Sequence, residues 1–340
     1  MVDSPWSMVG CLTEGINEMK KTAISKKDLT ADHPKFLVIG AGVNGSACAS
    51  ILQRSGIDVT LMARGQRVDD LRNDGVIIEN PLTGKRTVTR VPVVDRLAPD
   101  DLYDYVLIIM RKNQALELLP VLARNRSPSF VFMGNTLTGP EPYMDALGKD
   151  RVLMGSVYAG GRREGKVIRA IVLNSVAASF GEPDGGKTPR LKRMVAALNR
   201  GISRAEISTR IVDRQITHAS AIPPLGNLLI KHGCDARALA KSTADLYLLV
   251  DAMREAHKVI RAAGYRIEPA ADRLTDFVPR FLMVAMFRIL FSSKIGEVGA
   301  AYHVSQAPDE MRHLSRELGV LVEKSGLAVP ALRKTLALQV

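Results

Sequence analysis

The stretch Phe36-Leu37-Val38-Ile39-Gly40-Ala41-Gly42-Val43-Asn44-Gly45 constrains this chain more than any other. An apolar run of strand character enters Gly-x-Gly-x-x-Gly, and a helical pattern follows. A second apolar run, Val59-Thr60-Leu61-Met62, begins within the roughly 20 residues that a dinucleotide-binding β-α-β unit requires. Each glycine has a physical reason in such a unit. Gly40 permits the tight turn off the strand, Gly42 lets backbone approach a pyrophosphate, and Gly45 lets helix and sheet pack closely. The helix N-terminus then offers unpaired N–H groups and a partial positive charge to phosphate. Residues 40–45, including Ala41, Val43 and Asn44, are therefore the expected pyrophosphate cradle.

The second strand ends at Ala63-Arg64, where an acid would bind the ribose hydroxyls of NAD and repel a 2′-phosphate. An arginine instead binds phosphate through a bidentate fork and stacks on adenine. With Gln66 and Arg67 close behind, Arg64 points to NADP(H) rather than NAD(H).

Apolar runs alternate with helical patterns from residue 36 onward. Tyr105 to Met110 and Phe130 to Met133 are continuously apolar, as strands of a parallel sheet covered on both faces are. Val76 to Glu79 and Thr87 to Val91 flank a turn and predict a small hairpin. Val152 to Tyr158, Lys166 to Leu173, Val176 to Phe180 and Ala205 to Ser208 continue the strand pattern, and Thr188 to Asn199 reads as a helix. After Ile211 helical periodicity dominates, with long amphipathic stretches over Asp235 to Ala263 and Pro308 to Ser325. The expected class is α/β: an N-terminal Rossmann-type doubly wound domain over 34–210, then an all-helical C-terminal domain over 211–340. The cleft between them is the default ligand site. Residues 1–33 read as an extension without a signal-peptide core.

Composition bounds the partners. At 340 residues two domains can each bury a core, and 46% hydrophobic with 24% charged residues is ordinary for a soluble protein. The net charge of +12 suits an anionic cofactor and substrate, whereas no nucleic-acid module or aromatic platform is present to suggest specific nucleic-acid binding. No apolar segment is long enough to span a membrane; the most apolar window, Phe281 to Phe291, contains Arg288. Cys11, Cys48 and Cys234 form no metal-ligand pattern and fit a reduced, cytoplasmic setting. No metal site is expected.

Four pieces together resemble the ketopantoate reductase (2-dehydropantoate 2-reductase) family over about residues 35 to 335. They are the fingerprint ending in Arg64, Met110-Arg111-Lys112-Asn113-Gln114, Met133-Gly134-Asn135-Thr136, and Met154 to Gly165. A helical domain with Pro308-Asp309-Glu310-Met311 also fits. The resemblance implies an NADPH-dependent reduction of a small anionic carbonyl compound, by default ketopantoate on the route to pantothenate. It places Met110 and Gln114 along the cofactor, Asn135 and Gly160 near the nicotinamide ribose, and Glu310 as the carboxylate near that ribose. Arg111 falls where many relatives have lysine, and Lys112 is a neighbouring candidate cation. Ser292 or Ser293 would match a substrate-binding serine.

The chain departs from the family in its catalytic helix. Anchored at Pro224-Leu225, the family's lysine position is Gln215, and its two asparagine positions are Ala219 and Pro223. Glutamine cannot act as a general acid. His218, three residues on and nearly on the same helix face, is the candidate proton donor, with Thr217 adding a hydroxyl and Asn227 orienting a carboxylate. His232, His257, His303 and His313 lack metal-ligand spacing and read as surface groups. Two other functions compete: a non-catalytic NADP-binding sensor, and an enzyme like the 3-hydroxy-acid dehydrogenases. The long helices also offer a surface for homodimerisation.

Overall fold

The structure is a computed structural model that describes residues 33–156, 159–172, 178–201 and 204–339. The extension 1–32, Val157 and Tyr158, and the strand residues expected at Leu173, Val176 and Ala177 lie outside the described residues.

The expected β-α-β unit forms β1 (Phe36–Ile39), α1 (Val43–Arg54) and β2 (Val59–Met62). Phe36 sits opposite both Val59 of β2 and Tyr105 of a later strand, so β1 is central and parallel to both neighbours. Its four apolar side chains are all buried, because helices and loops cover both faces of the sheet. The chain then forms α2 (Gln66–Asp74), β3 (Val76–Glu79), β4 (Arg86–Thr89), β5 (Val93–Val94) and β6 (Tyr105–Ile108). After these come α3 (Lys112–Arg124), β7 (Phe130–Phe132), α4 (Glu141–Leu147) and β8 (Val152–Ser156). The α/β part ends with β9 (Ala159–Glu164), β10 (Val167–Val172), β11 (Ala178–Gly181), α5 (Pro189–Leu198) and β12 (Ala205–Ile207). Thr188 caps α5, accepting a hydrogen bond from the Leu191 N–H, and Pro189 occupies the first turn, where its missing N–H costs nothing.

An eight-stranded sheet runs in the order β12-β11-β8-β7-β6-β1-β2-β5. Strands leave β1 in one direction through β2 and β5, and in the other from β6 onward. The reversal lies between β1 and β6, and a crevice at the carboxyl ends of such strands is where open α/β sheets bind ligands. Gly40 stands at this point with φ of +114°. A Cβ there would lie 2.2 Å from the Ile109 carbonyl oxygen just beyond β6.

The hairpin expected at β3 and β4 belongs to a second sheet, order β4-β3-β10-β9. β10 pairs antiparallel with β9 and parallel with β3. From Ile211 onward the described residues form helices and loops only. The principal helices are α6 (Ile211–Lys231), α7 (Ala236–Lys241), α8 (Thr243–Ala262), α9 (Arg280–Ser292), α10 (Pro308–Ser325) and α11 (Pro330–Leu336). Leu228, Leu246, Leu249, Phe287 and Met311 share one core of this part. The stretch expected as one helix over Asp235 to Ala263 is broken at Ser242, whose hydroxyl accepts a bond from the Asp245 N–H and starts a new helix.

The two parts meet along α6. The Gln215 amide donates to the carbonyls of Phe132 (3.2 Å) and Gly155 (2.7 Å) on the large sheet. A π-helical turn, Glu297–Ala301, packs on β9 so closely that a Cβ on Gly160 would lie 2.6 Å from the Gly299 Cα.

Candidate active site

A cleft of about 850 Å³ opens where the carboxyl ends of β1, β2, β6 and β7 face α6, α10 and the turns before α10. It is large enough for a drug-sized or cofactor-sized ligand. Gly40, Ala41, Gly42, Val43, Asn44 and Arg64 line it, as do Met110, Arg111, Gln114, Asn135 and Gly160. From the helical side come His218, His303 and Glu310.

The three fingerprint glycines divide by what each makes room for. A Cβ on Gly45 would lie 1.8 Å from the Gly40 carbonyl oxygen and 3.5 Å from Val38, so Gly45 lets α1 lie against the sheet and does not line the cleft. A Cβ on Gly42 would meet nothing within 4 Å. The protein itself does not require that glycine, and the open space leaves the backbone accessible from the cleft. Gly42 is also the N-cap of α1, with no side-chain cap and no acid in the first turn. The first N–H groups of the helix therefore face the cleft as an anion site.

Beyond β2 the cleft wall turns basic. Arg64 is exposed, while Arg67 and Arg163 stand beside it. Arg67 is only 6% exposed. Its Nη1 donates to the Lys166 carbonyl at 3.1 Å, but Nε and Nη2 have no hydrogen-bond partner. Burial, and then the charge of Arg163, hold its pKa below the ordinary value despite Asp70 nearby. A desolvated guanidinium with donors to spare is costly unless an acceptor completes it, and a phosphate has the oxygens to do so.

The other end is protonatable. Asn135, just after β7, donates through Nδ2 to Glu310 Oε1 at 2.8 Å. His303 Nε2 lies 3.3 Å from Glu310 Oε2. Glu310 is 4% exposed in the first turn of α10. Burial alone would push its pKa up, but the hydrogen bond and charge of His303, with Asn135 and Arg111, hold it below the ordinary value. Burial likewise opposes the charged form of His303, yet the hydrogen bond and charge of Glu310 outweigh it and raise the histidine's pKa. His218 is shifted the other way, to about 4, by burial and then by the charges of His303 and Arg214.

Several expectations are corrected here. His218 lines the cleft but is a neutral imidazole at neutral pH, so it is not the charged proton donor anticipated from its helix face. Lys112 is 2% exposed and turned into the seam between the two parts, where its Nζ binds Glu317 and Thr138. Adjacent residues on a helix point in different directions, so Arg111 lines the cleft and Lys112 does not. Arg111 is itself tied to Asp309 (2.5 Å) and to the Gln306 carbonyl. Asn227 is 1% exposed and donates to Ser315 and the Thr335 carbonyl, which locks α6 to α10 and α11. The Thr217 hydroxyl is spent on the backbone of Arg266 and Glu268. Ser292 is exposed at the end of α9, and Ser293 caps the turn that follows; neither lines the cleft. Gln215 stitches the seam and does not face the cleft.

His257, read as a surface group, is buried against Asp276, and His303, read the same way, lines the cleft. His303 precedes Glu310 by seven residues, a same-face spacing on an unbroken helix. Ala307 interrupts the helix between them, so periodicity gave no reason to join the two. Among the described residues, no group of three His, Cys, Asp or Glu side chains is placed to hold a metal ion, and no helix is long and apolar enough to cross a membrane.

Residues 36–183 match the profile of the family described as ketopantoate reductase PanE/ApbA. A curated relative, the uncharacterised oxidoreductase YkpB of Bacillus subtilis (strain 168), is 25% identical over 185 residues. That match covers 54% of this chain and 59% of the relative, so the chain spans less than two thirds of the relative's length. Among solved structures, 2-dehydropantoate 2-reductase from Geobacter metallireducens GS-15 superposes with a TM-score of 0.73 at 17% identity, covering 90% of this chain and 98% of that one. A ternary complex of D-mandelate dehydrogenase with NADH and anilino(oxo)acetate gives 0.73 at 16% identity, covering 90% and 96%. 2-Dehydropantoate 2-reductase from Methylococcus capsulatus gives 0.67 at 19%, covering 89% and 95%. These likenesses show a shared fold along nearly the whole chain.

Proposed function

We propose that this chain, whose residues 36–183 match the ketopantoate reductase family, is an NADPH-dependent reductase of a small 2-keto acid. The family match and the fold support an NAD(P)-dependent oxidoreductase; the choice of NADPH and of a 2-keto acid is inferred from the cleft. The observation that carries the reading is one continuous cleft with an anion-binding end and a protonatable end.

The residues present fit a phosphorylated dinucleotide. The α1 N-terminus over the open space at Gly42 would hold the pyrophosphate, and Arg64, Arg67 and Arg163 the 2′-phosphate. Met110, Gln114 and Gly160 would flank the cofactor, and the Asn135–Glu310 pair would hold the nicotinamide ribose. When bound, the reduced nicotinamide supplies a hydride. Arg111, oriented by Asp309 and Gln306, would attract the substrate carboxylate to the mouth of the cleft. The proton for the new hydroxyl would come from the helical side. Pantoate and mandelate are both 2-hydroxy carboxylates, which agrees with a 2-keto acid as the oxidised partner. Reduction of ketopantoate to pantoate is the family default. A homodimer through the helical part would use the exposed apolar side chains Phe277, Phe281 and Ile289.

The test is turnover of a panel of 2-keto acids that includes ketopantoate, with NADPH and with NADH. At least one is expected to be reduced, faster with NADPH. Tight NADPH binding with no reduction of any substrate would replace this reading by that of a non-catalytic sensor.

A further inference from the structure

We infer that His303, held by Glu310, is the acid that protonates the substrate's carbonyl oxygen, taking the place of the lysine this helical domain lacks. The inference rests on the reading of the cleft as a 2-keto-acid reductase site. Reduction of a carbonyl leaves charge on oxygen and requires a proton within reach. Among the described residues lining the cleft, the groups that ordinarily titrate near neutrality are His218 and His303. Glu310 is committed as an acceptor to both Asn135 and His303. Gln215 has no proton to give, and Lys112 is turned away into the seam.

Geometry separates the two histidines. Glu310 binds one ring nitrogen of His303, and a carboxylate so placed fixes an imidazole's orientation and favours its charged form. The His303 side chain is 39% exposed, so its ring is reachable from the cleft. Glu310 also bears on His218, but burial and the charges of His303 and Arg214 outweigh it there. Two imidazolium ions close together repel, so charge on His303 disfavours charge on His218, and the contact with Glu310 favours it on His303. Other charges face the pair from the surrounding elements. Arg111 opposes the charge on His303 but is itself countered by Asp309. Arg162 of β9 packs over the ring of the adjacent Tyr302, at 4.0 Å. Arg214 of α6 bears on His218. The neutral His218 is left as a positioning residue, able to hydrogen-bond the same carbonyl oxygen without giving up charge.

The step balances. The carbonyl carbon accepts a hydride, with its electron pair, from the reduced nicotinamide as reductant. The C=O π pair moves onto oxygen, and the imidazolium N–H bond breaks toward nitrogen as the O–H bond forms. His303 is then neutral and regains its proton from solvent.

The test uses the full chain and two readouts. Ring resonances of the cofactor-free protein are followed by NMR against pH, with His303 assigned by its loss in His303→Gln. His303 is expected to titrate above the ordinary histidine value, and lower in Glu310→Gln. Single-turnover reduction should then fall as pH rises through that titration, because the charged acid is lost. His303→Gln should slow reduction by roughly 100-fold or more and abolish this limb, while NADPH affinity is kept, which also shows that the variant is folded. His218→Gln should keep the limb. A His303 that titrates at or below the ordinary value, ignores Glu310→Gln, or can be replaced without slowing reduction overturns the inference alone. Absence of any reduction by the wild type overturns the reductase reading, and the inference with it.

Discussion

Replacing Gly42 with valine is expected to abolish tight dinucleotide binding while leaving the apoprotein folded. The space around an added Cβ is empty to 4 Å, the backbone is extended (φ −80°, ψ −163°), and no side-chain cap is lost. Folding therefore loses only about 1 kcal/mol for a less favoured N-cap. The same side chain would occupy the approach to the first N–H groups of α1, and the pyrophosphate is expected to lose at least about 3 kcal/mol, or roughly 100-fold in affinity. Gly45→Ala is the opposite case. Its Cβ would fall 1.8 Å from the Gly40 carbonyl oxygen, which can move only by lifting α1 from β1. Overpacking of this kind costs about 1–3 kcal/mol and sometimes more, so this variant should melt markedly earlier. Thermal melts with fluorescence titrations of NADPH separate the two effects. Wild-type affinity in Gly42→Val would remove the pyrophosphate from the fingerprint.

Arg67→Met should discriminate between cofactors. NADPH affinity is expected to fall by roughly 30- to 100-fold, since each hydrogen bond to a charged group contributes about 1.5–3 kcal/mol. NADH affinity should barely change, because NADH has no 2′-phosphate. The apoprotein should be no less stable than the wild type by much. The variant loses the bond to the Lys166 carbonyl but also an incompletely satisfied buried guanidinium, and replacing a buried charge by an apolar side chain of similar volume is often neutral. Equal losses for NADH and NADPH would show that Arg67 only shapes the cleft.

The legible parts of the chain are those whose signals are local. Residues 36–62 state a β-α-β unit outright, because turn glycines, strand apolarity and spacing are all contained in one stretch. Thr188-Pro189 and Pro308 mark helix starts by backbone chemistry alone. The second sheet was less readable. β9, with the sequence Ala-Gly-Gly-Arg-Arg-Glu, has no apolar alternation, and it pairs as a strand because β10 beside it is apolar. The site splits along the same line. At its basic end the cleft is lined by Gly40 to Asn44 and by Arg64, the residues that the sequence offered for phosphate. Its chemical end joins Asn135 to Glu310 across 175 residues, and family resemblance rather than periodicity brought those two together. Lys112, Asn227 and Thr217 had suitable chemistry but face the interior, where Glu317, Ser315 and the backbone of Arg266 bind them. Nothing local distinguishes a polar side chain that closes a seam from one that opens on a cleft. His303 shows the converse, since its partner lies beyond a helix break.

On the proposed reading, this cleft passes a hydride from NADPH to the keto carbon of a 2-keto acid. Transfer of label tests it most directly. The protein is incubated with NADPH deuterated at C4 and with each 2-keto acid of the panel, and the products are read by mass spectrometry. A 2-hydroxy acid carrying one deuterium on C2 is expected for at least one substrate, and is expected to be lost in Gly42→Val. Cofactor that binds tightly but leaves every keto acid unreduced, or a hydroxy acid formed without the label, would contradict it.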